Sequence, residues 1–193
     1  RALAPLRLRS MAAPAEVPTR VCLLSLLQLS APMQTDFIAR WRRASPERSL
    51  AVPLGLKAGG EPLTLDLSER GDGPHGLVAG ATGSGKSELL QTLIVAHMAQ
   101  FHPHEVAFMI VDFKGGGMAH AFEGIPHLIG VLTNLEGNLA RRALVALQAE
   151  LKRRQRILGG RHIDEYLAAR RRGEPLAPLP HLMIVVDEFA ELK

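Results

Sequence analysis

The sequence predicts an α/β domain, a mostly parallel sheet lying between helices. Three observations lead there. A glycine-rich loop, Gly80-Ala81-Thr82-Gly83-Ser84-Gly85-Lys86-Ser87, joins a short apolar stretch to a helical one. Two continuous apolar runs, Val106–Val111 and Leu182–Val186, each end in an acid, Asp112 and Asp187. Strands buried on both faces of a parallel sheet read this way. The segments between them carry helical periodicity at crossover length.

Taken in order, residues 1–48 are punctuated by Pro5, Pro14, Pro18, Pro32 and Pro46. Two helical pieces fit between the prolines, Arg20–Leu29 and Gln34–Arg43. The second carries Phe37, Ile38 and Trp41 as an apolar docking face, with Arg40, Arg42 and Arg43 beside it. This section reads as a linker and docking arm, and residues 49–193 as the main domain. Leu50–Leu56 and Leu63–Leu67 read as strands, the second with Thr64 and Asp66 alternating with leucines, and Gly59-Gly60 reads as a hairpin turn between them. After a loop from Glu69 to Pro74, His75–Ala79 reads as a short buried strand. Glu88–Gln100 reads as a helix with Leu89, Leu90, Leu93, Ile94 and His97 near one face.

The Val106–Val111 strand runs into a flexible loop, Asp112-Phe113-Lys114-Gly115-Gly116-Gly117. A helical turn or two follows over Met118–Phe122, then a strand over Leu128–Leu132. A long helix from Glu136 to Leu158 has Leu144, Leu147, Leu151 and Leu158 on one stripe and ends at Gly159-Gly160. A short helix, Ile163–Arg172, and a proline-rich loop lead to the strand His181–Val186.

The 193 residues are 47% hydrophobic and 22% charged, a globular composition. Cys22 is the only cysteine, which excludes an intramolecular disulfide and a cysteine-based zinc site and fits a reducing cytosol. The longest apolar run, Val21–Leu29, is too short to cross a bilayer. Aromatic residues make up only 4%, which argues against stacking platforms for single-stranded nucleic acid. There is no initiating methionine, and the chain stops just after a strand, so it reads as a fragment of a longer protein. The formal net charge is +4, and basic residues cluster between Arg141 and Arg172, where only Glu150, Asp164 and Glu165 oppose them. That stretch is a nucleic-acid footprint, an acidic-partner surface or a solvated helix face. Cations in the last turns of a helix also complement its dipole.

The glycine loop fits G-x-x-x-x-G-K-[ST] at every fixed position. Such a loop turns backbone N–H groups toward an anion, and the following helix adds the partial charge of its N-terminus. Gly80, Ala81, Thr82, Gly83, Ser84, Gly85, Lys86 and Ser87 are therefore the predicted nucleotide-binding residues. Lys86 reaches the β- and γ-phosphates and Ser87 holds Mg²⁺. Asp187 is the expected second Mg²⁺ residue, and Glu188 the base that orients and activates water. Lys86 and Glu188 are the predicted catalytic residues, and ATP and Mg²⁺ the predicted cofactors. Asp112 and Lys114 lie at a strand end, where either ligand contact or a structural or interface role fits. His97, His102 and His104 read as packing and surface histidines.

Several stretches resemble the FtsK/SpoIIIE family of motor ATPases: Gly73–Leu90, Asp112-Phe113-Lys114-Gly115-Gly116, Pro126-His127-Leu128 and Val185-Val186-Asp187-Glu188-Phe189. Ser87-Glu88-Leu89-Leu90 and the Asp-Phe-Lys-Gly-Gly loop are most similar to the EssC/EccC ATPases of bacterial type VII secretion. The resemblance spans roughly residues 17–193. It implies a RecA-like domain, one of several in tandem, in a membrane-anchored protein that assembles as a hexamer at the cytoplasmic face of the bacterial membrane. It also implies membrane partners from a secretion system and small helical-hairpin substrates. The later strands, the γ-phosphate sensor and any arginine supplied to a neighbour lie beyond Lys193, so the fragment alone is expected to be nearly inactive. The alternatives are a double-stranded DNA translocase or conjugation motor, and a nucleotide-binding regulatory domain without substantial turnover.

Overall fold

The computed structural model describes residues 18–29, 31, 35–112, 117–133 and 138–187. In chain order they form helices α1 (Leu23–Leu26) and α2 (Phe37–Arg43) and the strands β1 (Ala51–Leu56) and β2 (Pro62–Asp66). Next come helix α3 (Lys86–Gln100), strand β3 (Val106–Asp112), helix α4 (Gly117–His120) and strand β4 (Leu128–Thr133). Helices α5 (Asn138–Leu158) and α6 (Ile163–Arg171) then precede strand β5 (His181–Asp187).

β3 is the middle of a parallel three-stranded sheet, ordered β4-β3-β5. Its unbroken apolar sequence follows from that position, since six of its seven residues are buried. Val106, Phe108 and Ile110 enter a core with Ile94 and Ala96 of α3, Val52 of β1, Phe122 and Val185. The register places Asp112 directly beside both Asp187 and Thr133 at the carboxyl ends of the three strands.

The hairpin β1–β2 is antiparallel and turns at Gly59 and Gly60, both at positive φ. It packs on α3, the helix that follows the glycine loop. His97, fully buried, joins the two: Nδ1 lies 2.8 Å from the Leu93 carbonyl and Nε2 3.1 Å from that of Leu50. Burial pulls its pKa below the ordinary histidine value, against the two carbonyls and Asp66, which push it up. α3 has no single apolar face; its polar and apolar side chains are spread around the helix. It buries Ile94, Ala96, His97 and Ala99, while Leu89, expected on the inner face, is exposed.

Three expectations are corrected. The first helical piece shrinks from Arg20–Leu29 to α1, because Gln28 takes a positive φ and the chain closes with Gln28 N–H on the Ser25 carbonyl and Leu29 N–H on that of Leu24. His75–Ala79 is not a strand. Leu77 is 85% exposed, and among the described residues no ladder pairs this stretch; without one, an extended apolar run stays a loop. The leucine stripe of α5 is only half used. Leu147 and Leu158 are partly covered, but Leu144 and Leu151 are exposed. The inner side of the helix is fixed by Arg154, whose Nη1 donates to the Pro180 carbonyl at 2.5 Å. Among the described residues no helix is long and apolar enough to cross a membrane.

Candidate functional site

The glycine loop runs straight into α3. Gly85 caps the helix at φ 90°, ψ 16°, a left-handed conformation that glycine adopts without a side-chain penalty. No side chain caps that end, so the first N–H groups of α3 face the loop. The loop itself is tightly wound. Ser84 N–H donates to the Ala81 carbonyl at 3.1 Å, and a Cβ at Gly80 would lie 2.5 Å from Ser84 Oγ.

Lys86 curls over this loop. Its ammonium donates to the carbonyls of Gly80 at 2.8 Å and Ala81 at 3.0 Å. The loop carbonyls thus hold the cation over the loop.

Ser87 and Asp187 come together although 100 residues separate them. The Ser87 hydroxyl donates to Asp187 Oδ2 at 2.9 Å, and both residues are half-buried. Asp187 ends β5, which pairs in parallel with β3, and Ser87 lies in the first turn of α3. A hydroxyl and a carboxylate oxygen facing one another are the hard donors that Mg²⁺ takes, the carboxylate directly or through water. The residues present therefore fit the ion.

Asp112, only 3% exposed, stands in register with Asp187 on the adjacent strand. The sequence offered Asp112 as a strand-end acid but not its neighbour, because strand order is not written in any single strand. Lys114 and Glu188 lie outside the described residues. His102 and His104 are away from this site, at the other end of β3, with their rings 4.7 Å apart. The basic end of α5 is partly structural: Arg153 and Arg154 both donate to Glu150, and Arg154 is also tied to Pro180.

A glycine loop opening a helix, with its serine bonded to a strand-end carboxylate in a parallel α/β sheet, defines the class of phosphate-loop nucleotide-binding domains. Within that class the chain belongs to the FtsK/SpoIIIE family, whose model matches residues 33–193. It is 48% identical over 182 residues to the ESX secretion system protein EccC of Geobacillus thermodenitrificans, covering 92% of this chain and 12% of that protein. Among solved structures it is similar to the cytoplasmic domain of the Thermomonospora curvata type VII secretion ATPase EccC. There the TM-score is 0.84 at 44% identity, over 91% of this chain and 21% of the other. It is also similar to ATPases 2 and 3 of T. curvata EccC, solved in complex with a signal sequence peptide. In that case the TM-score is 0.62 at 33% identity, over 74% of this chain and 27% of the other. The chain thus spans about an eighth of the length of the curated relative it matches.

Proposed function

We propose that this chain is a nucleotide-binding motor domain of a type VII secretion ATPase. The observation that carries the reading is the Ser87–Asp187 hydrogen bond, which joins the two halves of a Mg²⁺-nucleotide site across the fold. In this reading the N–H groups of Gly80–Ser87 take the phosphates, and Lys86 leaves its two carbonyls for the β- and γ-oxygens. Ser87 and Asp187 hold Mg²⁺, which when bound neutralises charge on those oxygens. Glu188, next in sequence to Asp187, orients water and accepts its proton. Residues 49–193 carry the chemistry, and residues 1–48 form the arm that joins it to the rest of the protein.

In the complete protein this domain works in a membrane-anchored hexamer at the cytoplasmic face of the membrane, moving small helical substrates. The high identity to EccC and the signal peptide bound by ATPases 2 and 3 of T. curvata EccC support that assignment. The roles of Arg153 and Arg154 within the fold favour it over DNA translocation, because part of the basic surface is spent on Glu150 and Pro180.

The test is Mg²⁺-dependent ATP binding, followed by ATPase stimulation in the full-length protein. Binding should require Mg²⁺ and weaken in Ser87→Ala, and a secretion-substrate peptide should raise turnover where duplex DNA does not. Strong stimulation by duplex DNA that falls steeply with salt, and is lost when Arg153 and Arg154 are neutralised, would assign the motor to DNA instead.

A further inference from the structure

At the opposite end of the strands from Asp187, where β3 begins, a cleft of about 560 Å³ opens between the docking arm and the body. Three separate segments line it: α2, the 102–105 turn and the end of α6. Its floor is ordered. Trp41 donates its indole N–H to the Met98 carbonyl at 2.9 Å and packs edge-on against His102 and His127, with ring centroids 5.1 and 5.6 Å away. Ile38, on the same helix one turn earlier, is 57% exposed instead of docking with Phe37 and Trp41.

The charges in the cleft are unbalanced. Glu105 is satisfied by Arg171, at 3.1 Å, and Arg171 also reaches Glu47 and the Ser45 hydroxyl. Arg42 and Arg170 have no carboxylate among the described residues; Arg170 reaches only His104 Nδ1, at 3.4 Å. Two guanidinium groups therefore flank an apolar seat made by Trp41 and Ile38. Arginine pairs suit carboxylates and phosphates alike. The surroundings favour the carboxylate. Arg42 and Arg170 both sit in the last turns of their helices, α2 and α6, where the helix dipole is negative. A polyphosphate meets that field with more negative charge than a single carboxylate does. The site also offers no helix N-terminus or glycine nest for a phosphate.

We propose that this cleft binds an acidic peptide segment, seating an apolar side chain on Trp41 and Ile38 and a carboxylate on Arg42 and Arg170. Such a segment would touch α2, the 102–105 turn and α6 together, and so clamp the arm onto the body. The inference stands independently of the nucleotide site, which lies at the carboxyl ends of the strands.

Trp41 is the only tryptophan in the chain, so its emission reports occupancy directly. The experiment titrates the chain with a blocked hexapeptide of sequence Leu-Glu-Glu-Leu-Glu-Glu, with the Leu-Lys-Lys-Leu-Lys-Lys peptide, ATP and inorganic phosphate as separate arms. A saturable emission change with the glutamate peptide alone is expected, weakening with salt. The Arg42→Gln/Arg170→Gln variant should bind it roughly tenfold less tightly. Both positions lie on the cleft surface, and circular dichroism checks that the variant is folded. Arg42→Glu/Arg170→Glu should exchange preference and take the lysine peptide. No emission change in the wild type, equal affinity in the glutamine variant, or the same Arg42-dependent response to phosphate or ATP would each overturn the proposal.

Discussion

Asp66 ends β2, yet its carboxylate organises the approach to the glycine loop. Oδ1 accepts the N–H of Leu50 at 3.0 Å and of Ser68 at 2.9 Å, and Oδ2 accepts the Ser49 hydroxyl at 2.6 Å. Its backbone is pinned as well: Asp66 N–H donates to Asp72 Oδ2 at 2.9 Å, and Asp72 N–H to the Asp66 carbonyl at 2.7 Å. Burial alone would raise the carboxyl pKa, but Ser49, Ser68 and Leu50 outweigh it and hold the value below the ordinary aspartate range. A hydrogen bond to a charged group contributes roughly 1.5–3 kcal/mol. Here the carboxylate is half-buried and three donors share it, so the contributions do not sum. Only Leu50, 3% exposed, loses its partner where water barely reaches. Asp66→Ala should therefore cost about 2–3 kcal/mol at pH 7, a fall in Tm of roughly 5–10 °C for a chain of this size.

Asp66→Asn supplies the control. Its amide oxygen can keep Leu50 and Ser68, and its NH₂ can donate to Ser49 Oγ, so the cost should be about 1 kcal/mol. The sign of the pH dependence follows from the depressed pKa. The charge contributes fully above the unfolded carboxyl value of about 3.9 and is lost as pH falls through the lower folded value. The gap between wild type and Asp66→Asn should accordingly close as pH is lowered toward and below that range. Urea unfolding followed by far-UV dichroism, from pH 7 downward, measures both. An alanine variant within about 0.5 kcal/mol of wild type, or a gap that does not narrow with acid, would refute the reasoning.

Lys86→Ala should weaken ATP binding at least about tenfold, since the proposed role of the ammonium held over the loop is to contact the β/γ-phosphates; unchanged affinity by calorimetry removes the site from consideration. Glu188→Gln should bind ATP normally and hydrolyse it slowly in the assembled protein, and turnover within about twofold of wild type would show that another group is the base. Gly73→Ala should destabilise by about 1–3 kcal/mol or more, because its Cβ would drive into the Leu67 carbonyl and backbone cannot give way as a side chain does. Gly76→Ala, whose Cβ would meet nothing within 4 Å, should be close to neutral, and equal thermal melts for the two variants would contradict the packing described here.

The sequence by itself determined whatever is set by neighbours along the chain. The glycine loop, its lysine and its serine are contiguous, and their chemistry needs only the local turn and the helix that follows. The run Val106–Val111 announced a strand buried on both faces, and Gly59-Gly60 and Gly159-Gly160 marked a hairpin and a helix end. Tertiary structure alone decided what depends on pairing across distance. It set Ser87 against Asp187 and brought Asp112 into register beside them, because strand order follows from how crossovers pack. Among the described residues it left His75–Ala79 unpaired, since an apolar stretch becomes a strand only where another strand accepts its backbone groups. It turned Ile38 outward while Trp41 docked, and it gathered Arg42 and Arg170 from helices more than a hundred residues apart. Periodicity tells which side chains share a face of one helix. It does not tell which of those faces a neighbouring element will cover, because that is settled only when the elements compete for the same core.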